Sequence, residues 1–170
     1  MDVALLVLRV VVGLYLLGHG GQKLFGWLGG PGLAGTEGFM QHLGFRPARL
    51  WALNAALAET VGGLLLALGL LNPLGSLAIA AAMLVAIATV HLGKGWFTTT
   101  GGPELPLTNL AVAAAVGIAG PGRFALDSWL GISLPEPLVG IVGVVLVVLG
   151  VAGALASRRT QPAGQAQATT

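Results

Sequence analysis

Five uninterrupted apolar runs constrain this chain more than any other feature. They cover about residues 3–25, 50–71, 74–92, 105–119 and 136–156. A helix crossing a bilayer needs ~20 apolar residues, and ~17 suffice. Four runs meet that length. The run at 105–119 is shorter, and a buried or slightly re-entrant helix is its alternative. The runs are continuous and do not alternate, which selects helices over a membrane barrel. The expected fold is an all-α integral membrane protein, with residues 157–170 as a disordered polar tail.

Composition agrees and excludes other classes. Only 8% of residues are charged, against a mean hydropathy of +0.89, whereas a soluble domain carries roughly 25%. Net charge is +2 and the basic residues form no stripe, so nucleic acid is excluded as a partner. The chain has no cysteine, which removes disulfide, thiol-redox, iron–sulfur and cysteine–zinc chemistry from its own residues. Its start, MDVALLVLR, places an acid before the apolar run and lacks the basic segment of a signal peptide.

The links between runs differ in kind. Asn72 and Pro73 alone join the second and third runs, so a tight antiparallel hairpin is expected, with Pro73 at the start of the third helix. The glycine-rich link from Gly26 to Arg49 contains TEGFMQHLG. This reads as a short amphipathic helix with Thr36 as N-cap and Phe39, Met40 and Leu43 on one face. A second glycine-rich link carries KGWFTTTGGPE. Small residues recur at helical spacing at Ala78, Ala82 and Ala86, at Ala111, Ala115 and Ala119, and at Gly140, Gly143, Gly150 and Gly153. Such ridges allow close helix packing in lipid, although a high alanine content also produces them. Lys23, Arg46, Arg49, Lys94, Arg158 and Arg159 fall at one end of a five-span bundle and Arg123 at the other. The preference of Lys and Arg for the cytoplasm therefore puts both long links and the tail inside. Trp27, Trp51 and Trp96 fall at that same end and fit an aromatic belt.

Charges inside such runs are the candidates for function, because each costs at least ~2.5–3.5 kcal/mol on the insertion scale. They are Arg9, His19, Lys23, Glu59, His91 and Glu104. At 1.5 Å of rise per residue, Glu59 lies roughly 13 Å and His19 roughly 9 Å from the inner rim. Lys23, His91 and Glu104 lie near that rim, so four runs point polar groups at one half of the bundle. His19 and Lys23, within GHGGQKLFG, share a face at i and i+4. Plainer readings stand beside this one. Arg9 and Glu59 can form an interior ion pair, or Arg9 can snorkel outward. Lys23 can be an interfacial anchor, His91 a wetted rim histidine, and Glu104 a complement to a helix dipole. His42 reads as a surface residue. A haem held between His19 and His91 is a thinner alternative, and no metal-ligand spacing is present.

The order of these motifs is similar to the DoxX family of small bacterial membrane proteins. Arg9 is followed by GHGGQKLFG and GFMQHLGF. AETVGGLLLALGL follows around Glu59, and then come His91, GGPELPL and GPGRFALDSWLG. The resemblance covers about residues 5–131 and implies a four-helix transmembrane bundle in the bacterial inner membrane. Residues 132–156 would then be an additional, fifth membrane helix. Carried over by motif are Arg9, His19, Gly20, Lys23, Glu59, Gly63, His91, Glu104 and Asp127. The family is named for its resemblance to the small subunit of a thiosulfate:quinone oxidoreductase. Other members are described as membrane partners of superoxide dismutase and a sulfurtransferase, or are tied to quinone stress.

The resulting expectation is a quinone-linked or oxidant-stress component embedded in the lipid bilayer. Glu59 is the candidate proton carrier, His19 or His91 would bond a quinone oxygen, and Lys23 would stabilise a developing anion. No cofactor is evident in the chain itself, so electrons would come through a soluble redox partner on the cytoplasmic face. The alternatives are a non-catalytic scaffold for that partner and a small transporter element, for which a homo-oligomer would have to enclose the path.

Overall fold

A computed structural model describes residues 1–135 and 137–159. Seven α-helices follow in chain order: α1 (Asp2–Phe25), α2 (Gly32–His42), α3 (Ala48–Leu68), α4 (Leu74–Ala86), α5 (Glu104–Ala119), α6 (Leu126–Leu130) and α7 (Leu138–Ala156). A π-helical turn, Ile87–His91, prolongs α4. The protein is all-α, with no strand among the described residues. Four helices are long and apolar enough to cross a membrane: α1, α3, α4 with its π turn, and α7. At 16 residues, α5 rises only ~24 Å against a hydrocarbon core of ~30 Å.

Glycine determines how closely the central helices approach. A Cβ on Gly13 of α1 would lie 2.6 Å from the Gly63 carbonyl oxygen of α3, and one on Gly63 would lie 2.6 Å from that of Gly13. The two backbones therefore touch, and no other residue type fits at either position. From that seam the buried stripe of α1 runs Leu5, Arg9, Gly13, Leu16 and Gly20. α4 and α5 complete an apolar core around Leu16, Leu66, Ile79, Met83, Ala113 and Val116. α5 turns Asn109, Ala113 and Val116 inward, and the ridge of Ala111, Ala115 and Ala119 faces outward. Among the described residues that ridge is exposed, because α5 meets α4 and α1 through its other side.

The second apolar run begins earlier and stops sooner than its composition suggests. α3 starts at Ala48, behind Pro47, and Gly69 in the left-handed conformation ends it. Leu70–Pro73 then turn the chain into α4. α2 folds back over α1 and α3. Thr36 is not its N-cap. It lies inside the helix, and its hydroxyl is placed to donate to the carbonyls of Lys23 and Gly32.

α7 packs on α4 and leaves most of its surface outward, with only 6% of its membrane-length window buried. The tail was expected to be disordered from Ser157, yet Ser157–Arg159 are held. Arg158 forms an antiparallel bridge with Phe45, its Nε donates to the Leu43 carbonyl at 2.9 Å, and Arg159 N donates to the Gly44 carbonyl at 2.9 Å. The rest of the expected tail, 160–170, lies outside the described residues.

Candidate functional site

The end of the bundle that holds the C-termini of α1 and α4 and the start of α3 contains a cavity of about 390 Å³. That is within the range of small-ligand sites. It opens between α2, α3, α4 and α7. Ala55 and Ala58 of α3, Ala82 and Ala86 of α4 and Ala154 of α7 line it, and this run of small side chains leaves the space between the helices unfilled. The face of α2 formed by Phe39, Met40 and Leu43 covers one side.

Three of the candidate residues line the cavity, beside the polar side chains of Thr36, Trp51, Asn54 and Thr89. The Lys23 ammonium of α1 is paired with Glu59 Oε2 of α3. The Glu59 side chain is 6% exposed and that of Lys23 29%. A buried carboxylate needs such a partner to stay ionised, and Lys23 supplies it from a helix end still reached by solvent. No protein partner is found for Glu59 Oε1 among the described residues. His91, the last residue of the π turn, also lines the cavity. Its Nδ1 lies 2.7 Å from the Gly101 carbonyl oxygen. A carbonyl only accepts, so Nδ1 carries the proton, and Nε2 of the neutral ring is left with a free lone pair.

The remaining candidates lie elsewhere. His19 is outside the cavity lining and packs against Tyr15, with ring centroids 4.5 Å apart and the planes tilted by 58°. It shares a helix face with Lys23 without sharing the cavity, and it does not join His91 there. Glu104 opens α5, and its carboxylate accepts from Thr98 N at 2.9 Å and Thr98 Oγ1 at 3.0 Å. That bond shapes the 98–104 loop. Arg9 is at the opposite end of the bundle and forms no pair with Glu59. It is 1% exposed, and its guanidinium donates to the carbonyls of Ala67 (2.8 Å) and Phe124. The Ala67 carbonyl belongs to the last turn of α3, where the helix leaves acceptors unpaired and a cation is favoured. Asp127 completes this second cluster. Its two carboxylate oxygens accept from Leu71 N and Asn72 N, each at 2.8 Å. Leu71 is held at φ +52°, unfavourable for a branched residue, and the bond to Asp127 helps to hold it there.

Several lining residues were assigned other roles on sequence grounds. Trp51 fits an aromatic belt by position, yet it is half-buried, stacks on Phe45 and faces the cavity, while Trp27 and Trp96 are exposed. Thr89 and Asn54 gave no signal. The glycines of α7 read as packing residues, but only Gly143 sits hard against a neighbour, Leu77, whereas Gly150 lines the cavity. No cluster of three metal-ligating side chains occurs among the described residues.

No curated protein and no solved structure matches the chain. The DoxX family model matches residues 4–92, the segment from α1 to the end of the π turn, which supplies Lys23, Glu59 and His91. α5, α6 and α7 lie beyond the match. On this match, covering more than half of its length, the chain belongs to the DoxX family.

Proposed function

We propose that this DoxX-family membrane protein binds a lipid-soluble quinone in the cavity and serves as the membrane component of a redox assembly. One observation carries the reading. The cavity is apolar along most of its wall, and Lys23, Glu59 and His91 are grouped in it. An amphipathic ligand with a polar ring and an apolar chain fits such a division.

Reduction of a quinone loads its carbonyl oxygens with charge and then with protons. The residues here match that demand. Lys23 Nζ can stabilise a developing oxyanion. Glu59, through its unpaired Oε1, can pass a proton. His91 Nε2 accepts a hydrogen bond from a hydroxyl when neutral and donates one to a carbonyl when charged. Electrons would come from a soluble partner at the cavity end. Lys23, Arg46, Arg49, Lys94, Arg158 and Arg159 gather there, and this excess supports placing that end in the cytoplasm of an inner-membrane protein.

The test is quinone content after purification in mild detergent, measured by solvent extraction for the wild type, Glu59→Gln and His91→Ala. Near-stoichiometric quinone in the wild type and its loss in both variants is the expected result. Quinone absent from all three, or equal in all three, overturns the reading. Retention of a soluble partner by Glu59→Gln would then put the scaffold reading in its place.

A further inference from the structure

We infer that Gly150 of α7 sets the free width of the cavity and selects among ligands by the bulk of their apolar part. This rests on the cavity being the ligand site proposed above.

Three glycines of one helix differ in what a side chain would meet. At Gly143 a Cβ would fall 2.2 Å from Leu77 Cδ1, so that glycine serves the contact with α4. At Gly150 and Gly153 a Cβ meets nothing within 4 Å. Gly150 lines the cavity and Gly153 does not. Gly150 is exposed but lies seven residues from Gly143, on the same α4-facing side of α7, so a side chain there borders the ligand space, whereas Gly153 lies about 60° further round the helix.

The rest of the wall explains why α7 acts on bulk alone. It contributes Gly150, Val151 and Ala154, none with a side-chain polar atom. The ionisable groups of the wall, Lys23, Glu59 and His91, and the polar side chains of Thr36, Asn54 and Thr89 come from α1, α2, α3 and the π turn. α7 also lies beyond the segment that the family model matches. The polar end is thus built from the family segment, and the apolar limit is supplied by a helix added to it. The ligand class that follows is an amphipathic, membrane-soluble molecule whose slender apolar portion lies against α7.

The chain has no cysteine, so a single Ala58→Cys reports on the cavity. Its labelling rate with N-ethylmaleimide is measured alone and with Gly150→Phe or Gly153→Phe, each with and without decylubiquinone. Thermal unfolding and gel filtration establish that the variants are folded, and Gly150→Leu replaces Gly150→Phe if the latter is not. Gly150→Phe is expected to slow labelling about tenfold or more by filling the space, while Gly153→Phe leaves the rate unchanged. Decylubiquinone should protect the cysteine only where residue 150 is glycine. Equal labelling in the two variants overturns the role of Gly150, and so does clear, equal protection by decylubiquinone in both, which leaves the quinone reading intact. Slowed labelling in Gly150→Phe without protection by decylubiquinone in any variant keeps the role of Gly150 and removes the quinone.

Discussion

The two ends of the bundle both hold buried charge, and they hold it differently. At one end the charges of Arg9 and Asp127 bond backbone groups of the α3 terminus, the α3–α4 turn and the link before α6. At the other, Lys23 and Glu59 bond each other, and one Glu59 oxygen and one His91 nitrogen have no protein partner among the described residues. A charge that bonds distant backbone organises the fold, even where, as at Arg9 Nε, one buried donor has no partner among the described residues. A charge that keeps capacity at the wall of a cavity can meet something else. Intramembrane ionisable residues thus separate into two kinds by their partners, although their cost of insertion is the same.

The sharpest way to break this comparison is at Asp127. Asp127→Ala removes the acceptor of two backbone N–H groups and should destabilise by about 3–6 kcal/mol, at ~1.5–3 per bond to a charged group. Thermal unfolding in detergent measures this, and a midpoint near wild type would show that the cluster is not structural. Arg9→Met should follow at about 2–4 kcal/mol, because it leaves the Ala67 and Phe124 carbonyls without donors. Neither change should abolish ligand binding in protein that remains folded.

The other end should respond in the opposite sense. Glu59→Gln removes one charge of a pair whose other member is partly solvated, so its stability cost should stay within about 1 kcal/mol, while ligand occupancy is lost. A large drop in unfolding midpoint for Glu59→Gln would erase the distinction between the ends. The smallest effect is expected at Arg158→Ala. It removes a bond to the Leu43 carbonyl and a cation–π contact with Phe45, together about 1 kcal/mol at a solvated site. The clearest readout is faster amide exchange at Phe45 and Arg159, with the midpoint nearly unchanged. Unaltered exchange would mean that the strap is held by its backbone alone.

What the sequence made legible follows from the range of each interaction. Apolar runs report burial in lipid directly, so the helices appear close to their expected places. Asn72 and Pro73 punctuate locally, and the hairpin between α3 and α4 follows, whereas Gly69, which ends α3, sits unremarked inside the apolar run. Counting along the helices put Lys23, Glu59 and His91 at one end of the bundle, but it also put His19 and Glu104 there, and neither lines the cavity. The partners within the set were not legible. Arg9 bonds a carbonyl 115 residues away, and a carbonyl acceptor leaves no mark on side-chain identity. The split between His19 and His91 depends on helix rotation, which depth does not fix. The cavity itself arises from small side chains on several helices, each read alone as filler or as a packing ridge.

The bond between His91 and Gly101 has one more consequence. It uses a proton that the imidazole keeps in both its neutral and its cationic form. Charge can therefore arrive at or leave the ring through Nε2 while the ring stays fastened to the 93–103 segment. The residue combines a fixed mechanical attachment with a variable electrical state, and the two do not compete for the same nitrogen.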